Sequence, residues 1–413
     1  MNGWTFVFLF LVALHVAVEL WLLLRQATHV ERHRDRVPEP FREAIPPEAH
    51  RKAADYTRAK LRLDLVALLL QTALLLFLTL GGGIETIDRF WRGWRLSPIP
   101  HGVALILSTF WLIALAELPI QIYRIFRVEE RFGFNRMTPA QFLRDLLLQW
   151  LLALLIGAPF VALLLWVMGT VAHWWLWAWL LIVGFSLLMS WAYPTLIAPL
   201  FNRFTPLGDP ELRREIETLA RRCGFDLSGI FVMDASRRTR HGNAYFTGFG
   251  KSKRIVLFDT LLETLSDREE ILAVLAHELG HFKKRHLWKL LALNGGLALL
   301  ALYLLFSLSR IEDLFHGLGV SRAAPDTALL LFLLIAPLFG TFLSPIIHAV
   351  SRRFEFEADR FAAQLLPPEA LVRALVHLYR DNAATLTPDP LYAAYHYSHP
   401  PALERIDRLQ GGA

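Results

Sequence analysis

A chain of 413 residues, 54 % of them hydrophobic, is too apolar for an ordinary soluble protein, which averages about 45–50 % by a count that also includes glycine. Its formal net charge of +6 would suit a nucleic-acid partner, but the basic residues sit in connectors between apolar runs, so no nucleic acid is expected. The lone cysteine, Cys223, excludes an intrachain disulfide framework and a Cys-rich zinc site, and reads as a small buried residue at a helix end.

Crossing a bilayer takes about 20 predominantly apolar residues. Seven runs meet this, at 4–24, 63–83, 102–122, 147–169, 174–196, 288–309 and 327–350. The first is expected to be a span and not a cleaved signal, because it is long, lacks a basic start and has no small-residue cleavage site before Arg25. Arg and Lys crowd the connector from Arg25 to Arg62, and Arg recurs from Arg124 to Arg144. The alternate connectors carry few. The positive-inside rule then puts the N-terminus outside, and segment 197–287 and the C-terminus in the cytoplasm.

Four regions follow. Residues 1–200 form a membrane domain of five spans with a charged cytoplasmic loop at 25–62. Residues 201–287 form a cytoplasmic catalytic region, 288–350 hold spans six and seven, and 351–413 form a cytoplasmic C-terminal region. In the second region, Asp209-Pro210 caps a helix that stops near Gly224. Segments 229–233 and 254–258 read as strands, with a Gly/Ser/Arg-rich loop at 234–252 between them. A helix at 267–285 leads into span six, and another at 351–366 follows span seven. The fold class is mainly α: a seven-span membrane protein with a small cytoplasmic α+β region.

The 267–285 helix carries His277-Glu278-Leu279-Gly280-His281. Residues four apart share a helix face, so the two imidazoles can bind one zinc, with Glu278 as base toward a zinc-activated water. A catalytic zinc needs a third protein ligand. The extended pattern with a downstream His is excluded by Lys284 and Leu287. His286, five residues from His281, is expected to point away as a solvated helix-end side chain. A carboxylate remains: Glu355 and Asp359 share a face, the first as ligand and the second as acceptor for the back N–H of a ligating His. Glu357 is expected to point elsewhere. The alternative is an exposed charged helix in which Arg352 and Arg353 pair with the acids.

The loop holds Asn243 and Ala244, and the strand at 254–258 offers an edge to an extended peptide; the alternative is a plain hairpin. His399 is a candidate oxyanion donor, with Arg405 as a second, against a surface or capping role in a Pro-rich tail. Polar residues inside the spans (His15, Glu19, Gln71, Glu117, Gln121, Gln149 and Asn294) read as interhelical hydrogen bonds or as the lining of a hydrated interior.

Taken in order, several segments resemble the type 1 CaaX prenyl proteases, a family of seven-span zinc enzymes. They are Glu129–Asn135, Ala198–Leu207, Asn243–Phe246, Lys253–Leu262, His277–His281, Ser351–Asp359 and His396–Pro401. The resemblance implies Glu355 as third zinc ligand with Asp359 supporting it, and one zinc per chain. It implies His399 and Arg405 near the substrate carbonyl, Asn243 and Ala244 along the peptide, and helices enclosing a water-filled chamber. It also implies removal of the last three residues from a peptide or protein prenylated at a C-terminal Cys, within membrane lipid. The acidic, Lys-rich insertion of some animal members is absent before the zinc helix, and no dilysine tail follows Arg405; both departures look bacterial, and suggest an inner membrane. Two rival readings stand beside this: the same protease in membrane quality control without a prenyl requirement, and a seven-span transporter or receptor with a structural metal.

Overall fold

The computed structural model describes residues 1–247, 253–265 and 267–411. The end of the expected loop, 248–252 with Gly248, therefore lies outside the described residues. Seven helices are long and apolar enough to cross a membrane: Gly3–Arg32, Pro47–Leu78, Pro98–Phe132, Pro139–Thr170, Trp174–Phe201, His286–Leu308 and Pro325–Ala363. Pro47, Pro98, Pro139 and Pro325 each open a span, where a missing N–H costs nothing. The helices outrun the apolar stretches, chiefly at the basic end. There Arg, Lys, Glu and Ala continue a helix that the bilayer no longer requires. The seventh runs unbroken for 39 residues, so the separate helix expected at 351–366 is its continuation beyond the apolar run.

Spans three, four and five contain π-helical turns at Arg124–Glu129, Ala153–Gly157 and Tyr193–Ile197. Pro119, Pro159 and Pro194 lie at or near these turns, where a ring without an N–H forces the ladder to readjust.

Each span packs on the next, and the seventh packs back on the first, which closes a ring. Between 6 % and 22 % of each apolar window is buried inside the protein, so most of every span faces lipid or the enclosed space. At the end away from the basic connectors, span seven also meets spans three and four. There Arg322 donates to Asp88 at 2.9 Å and to Asp326 at 2.7 Å, and His101 Nδ1 lies 3.2 Å from Asp326. Farther in, His15 Nδ1 lies 2.6 Å from Thr341 Oγ1, and Thr341 donates to Glu19 at 3.1 Å. Gln71 donates to Glu117 at 2.8 Å. Four of the polar span residues thus bond between helices.

The segment between spans five and six holds a four-stranded sheet of β1 (Phe204–Pro206), β2 (Gly229–Met233), β3 (Ala244–Thr247) and β4 (Arg254–Phe258), ordered β1-β2-β4-β3. β2 and β4 are parallel, and the other pairs are antiparallel. The strands read from the sequence are β2 and β4. The expectation that 254–258 offers an edge is corrected here: β4 pairs on both sides, and among the described strands the edges are β1 and β3, the latter within the expected loop. Helix Pro210–Arg222 is capped by Asp209, as expected. Ile216, Ile230, Ile255, Leu257 and Leu279 join this helix, the sheet and the helix Arg268–Lys283 in one core, which also takes in Leu371 and Leu375 of the helix Pro368–Asp381. Fully burying each such side chain is worth about 1.5–3 kcal/mol. That core anchors the motif helix to the sheet on one side and to span seven on the other.

Candidate active site and metal centre

Asp267 caps the motif helix Arg268–Lys283 by accepting from the Glu269 N–H, so the helix begins one turn after β4 and its short following helix. It crosses span seven at Gly280. A Cβ there would lie 3.1 Å from the Ala358 Cα and 3.2 Å from its carbonyl oxygen, so any side chain would require the helices to part by a few tenths of an ångström. The crossing brings Glu355 and Asp359 under the two histidines.

His277 Nε2 and His281 Nε2 stand 3.1 Å apart. Glu355 Oε2 lies 3.4 Å from the first, and Glu355 Oε1 lies 3.3 Å from the second. Glu355 Oε2 is buried with no hydrogen-bond partner. Two imidazole nitrogens and a buried carboxylate with one oxygen unpartnered, converging within 4.8 Å, are a donor set that suits a divalent cation such as zinc. Asp359 Oδ1 lies 2.8 Å from His277 Nδ1, which assigns the proton to Nδ1 and leaves the Nε2 lone pair for the cation. Burial draws the His277 ring down, but the Asp359 and Glu355 carboxylates more than reverse this and push its pKa up to about 9. A cation at Nε2 competes with that proton.

Glu278 is half-buried and makes no hydrogen bond or ion pair with the described residues. It is an uncommitted carboxylate next to a ligand. His399 reaches the cluster from the C-terminal segment, with Nε2 3.4 Å from Glu355 Oε1 and a side chain 66 % exposed. Ser398 Oγ holds its other nitrogen at 3.0 Å. Arg405, expected near a substrate carbonyl, lies behind the ligands. It is buried, and it donates to Asp359 from Nε at 2.9 Å and from Nη2 at 2.6 Å. Asn243 is exposed at the start of β3, where its Oδ1 accepts from the Ala244 N–H. β3 packs beside the motif helix.

Glu357 lies outside the cluster of His277, His281 and Glu355, with Oε2 3.2 Å from His286 Nε2. One residue was misplaced by sequence reasoning: His286 is buried, not solvated, and its Nδ1 lies 3.0 Å from His281 Nδ1. The reason is a break in the helix. Arg285 adopts φ 56° and ψ 36°, so His286 opens a new helix and swings back toward the ligands. The run Lys283-Lys284-Arg285 was the available signal, since basic residues gather at helix C-termini.

A ring of seven spans with this donor set at its basic end defines a membrane-embedded metallopeptidase. Residues 26–203 match the family model for the CAAX prenyl protease N-terminal region with five membrane helices, and residues 206–413 match the model for peptidase family M48. A CAAX prenyl protease 1 homolog of Arabidopsis thaliana is 39 % identical over 316 residues, which is 76 % of this chain and 74 % of that protein. A homolog from Dictyostelium discoideum is 36 % identical over 389 residues, with 91 % of this chain and 89 % of that protein covered. The crystal structure of S. mikatae Ste24p superposes with a TM-score of 0.90 at 31 % identity, covering 99 % of both chains. The chain belongs to the CAAX prenyl protease 1 family of M48 peptidases, and is an integral-membrane, multi-pass metallopeptidase.

Proposed function

We propose that this chain is a zinc endopeptidase that removes the C-terminal tripeptide of prenylated CaaX proteins, with one zinc held by His277, His281 and Glu355. The observation that carries the reading is the convergence of these three side chains beside the uncommitted carboxylate of Glu278. The substrate class rests on the relatives, which are named as CAAX prenyl proteases.

Zinc, when bound, supplies Lewis acidity and lowers the pKa of water. Glu278 takes the proton from the attacking water and passes it to the leaving amine. His399, open to the site, donates to the oxygen that gains charge as the peptide carbonyl is attacked. Asn243 and Ala244 begin a free strand edge along which an extended peptide pairs by backbone hydrogen bonds. Asp359 holds the His277 tautomer, and Arg405 holds Asp359. The basic connectors favour a cytoplasmic site and an N-terminus on the other side.

The test is cleavage of matched Cys-a-a-X peptides, one farnesylated and one not, by zinc-loaded protein and its Glu278→Gln variant. Preferential release of the tripeptide from the farnesylated peptide, lost in the variant, is expected. Equal cleavage of both peptides would remove the prenyl requirement and favour quality control. Cleavage undiminished in the variant would remove the mechanism.

A further inference from the structure

We propose that His286, backed by Glu357, is a positioning residue for the metal ligand His281. The inference rests on the reading of His277, His281 and Glu355 as the zinc site.

The two ligating histidines are backed differently. Asp359 meets the back nitrogen of His277 directly. Among the described residues the back nitrogen of His281 meets no carboxylate; it meets another imidazole, His286 Nδ1, at 3.0 Å. That imidazole in turn reaches Glu357 Oε2 at 3.2 Å through Nε2.

The chain has a direction. An ionised carboxylate only accepts, so His286 Nε2 must carry the proton and donate to Glu357. A neutral imidazole then has a bare Nδ1, which accepts from His281 Nδ1–H. His281 is thereby fixed with its proton behind and its Nε2 lone pair facing Glu355, the tautomer a metal ligand needs. Lys289 Nζ, 3.7 Å from Glu357 Oε2, and Arg353 Nε, 3.6 Å from Oε1, keep that carboxylate charged and acceptor-only.

The relay is built into the packing. His286 is buried and lies flat on Phe354, with ring centroids 4.3 Å apart and planes 8° from parallel. Phe354 adjoins Glu355 on span seven, so one segment of that helix supplies a ligand, the stacking ring and the relay's carboxylate. Arg285 holds a left-handed backbone to present His286, a conformation that residues with a Cβ rarely adopt.

The test compares zinc affinity, by competition with a chromophoric chelator, across variants of the full-length protein. His286→Phe keeps the buried volume and the stack but removes both ring nitrogens. Its zinc affinity is expected to fall about 10–100-fold. His286→Asn, whose amide oxygen falls near the position of ring Nδ1, is expected to recover part of the loss. Glu357→Ala is expected to weaken zinc in the parent and to add nothing in the His286→Phe background, because it acts only through His286. Zinc affinity unchanged in His286→Phe, beside a His281→Ala control that loses zinc, would overturn the inference and leave the site reading intact. A His281→Ala control that keeps full zinc affinity would overturn both. A Glu357→Ala effect that persists at full size without His286 would overturn the relay.

Discussion

Gly280 and Ala358 are in backbone contact where the motif helix crosses span seven, and a Cβ on Gly280 would stand 3.1 Å from the Ala358 Cα. This crossing sets the depth at which Glu355 meets His277 and His281. Gly280→Ala forces the helices apart by a few tenths of an ångström. Overpacking of this kind costs about 1–3 kcal/mol. Thermal unfolding of the variant is expected to shift down, with lower zinc affinity. A variant with both properties unchanged would show that the crossing tolerates a wider spacing.

Arg405 makes two hydrogen bonds to Asp359, and both side chains are buried. Removing one partner of a buried pair leaves an uncompensated charge, at a cost of about 3–5 kcal/mol. Arg405→Met is therefore expected to destabilise the protein and weaken zinc binding, whereas Asp359→Asn weakens zinc about 10–100-fold through the His277 tautomer. A change in KM alone for Arg405→Met, with stability and zinc intact, would instead assign Arg405 to the substrate.

His277 gives the metal-free protein a pH signature. Its pKa is raised to about 9, against about 6.5 in the unfolded chain. A raised pKa contributes stability that is fully present below about pH 6.5 and lost as pH rises through about 9. Chelator-treated protein is expected to lose on the order of 3 kcal/mol across that window, while zinc affinity rises over the same range because fewer protons compete. Denaturation midpoints of the chelated protein at pH 6 and pH 9.5 check this; equal midpoints would contradict it.

Glu278 and His399 are separable from metal binding, because neither belongs to the three-ligand cluster. Glu278→Gln is expected to lower kcat about 100- to 10,000-fold with zinc retained. His399→Ala is expected to lower kcat roughly 100- to 1,000-fold, also with zinc retained. Loss of zinc in His399→Ala would make His399 a ligand.

The seven spans were legible because crossing a bilayer imposes a length that composition reveals at once. His277, His281 and Glu355 were legible because four-residue spacing and a basic-end location act together. What stayed hidden depends on backbone events that side-chain periodicity does not record. The left-handed Arg285 turned His286 inward, against a reading that left it as a solvated side chain at the helix end. Span seven continued past its apolar run, carrying Glu357 to His286. β3 is only four residues long and follows the polar run Arg240-His241-Gly242-Asn243, and its pairing with β4 is not recorded in its own sequence. The spacing around Gly280 does not record that Ala358 lies against it.

The central claim is that His277, His281 and Glu355 together hold one zinc on which peptide cleavage depends. The most direct measurement is zinc content per chain in purified protein and in Glu355→Ala, with cleavage followed through chelation and zinc return. One zinc per chain in the parent, loss of zinc in the variant, and activity that leaves and returns with the metal are expected. Full zinc occupancy in Glu355→Ala, or cleavage that persists after complete chelation, would contradict the account.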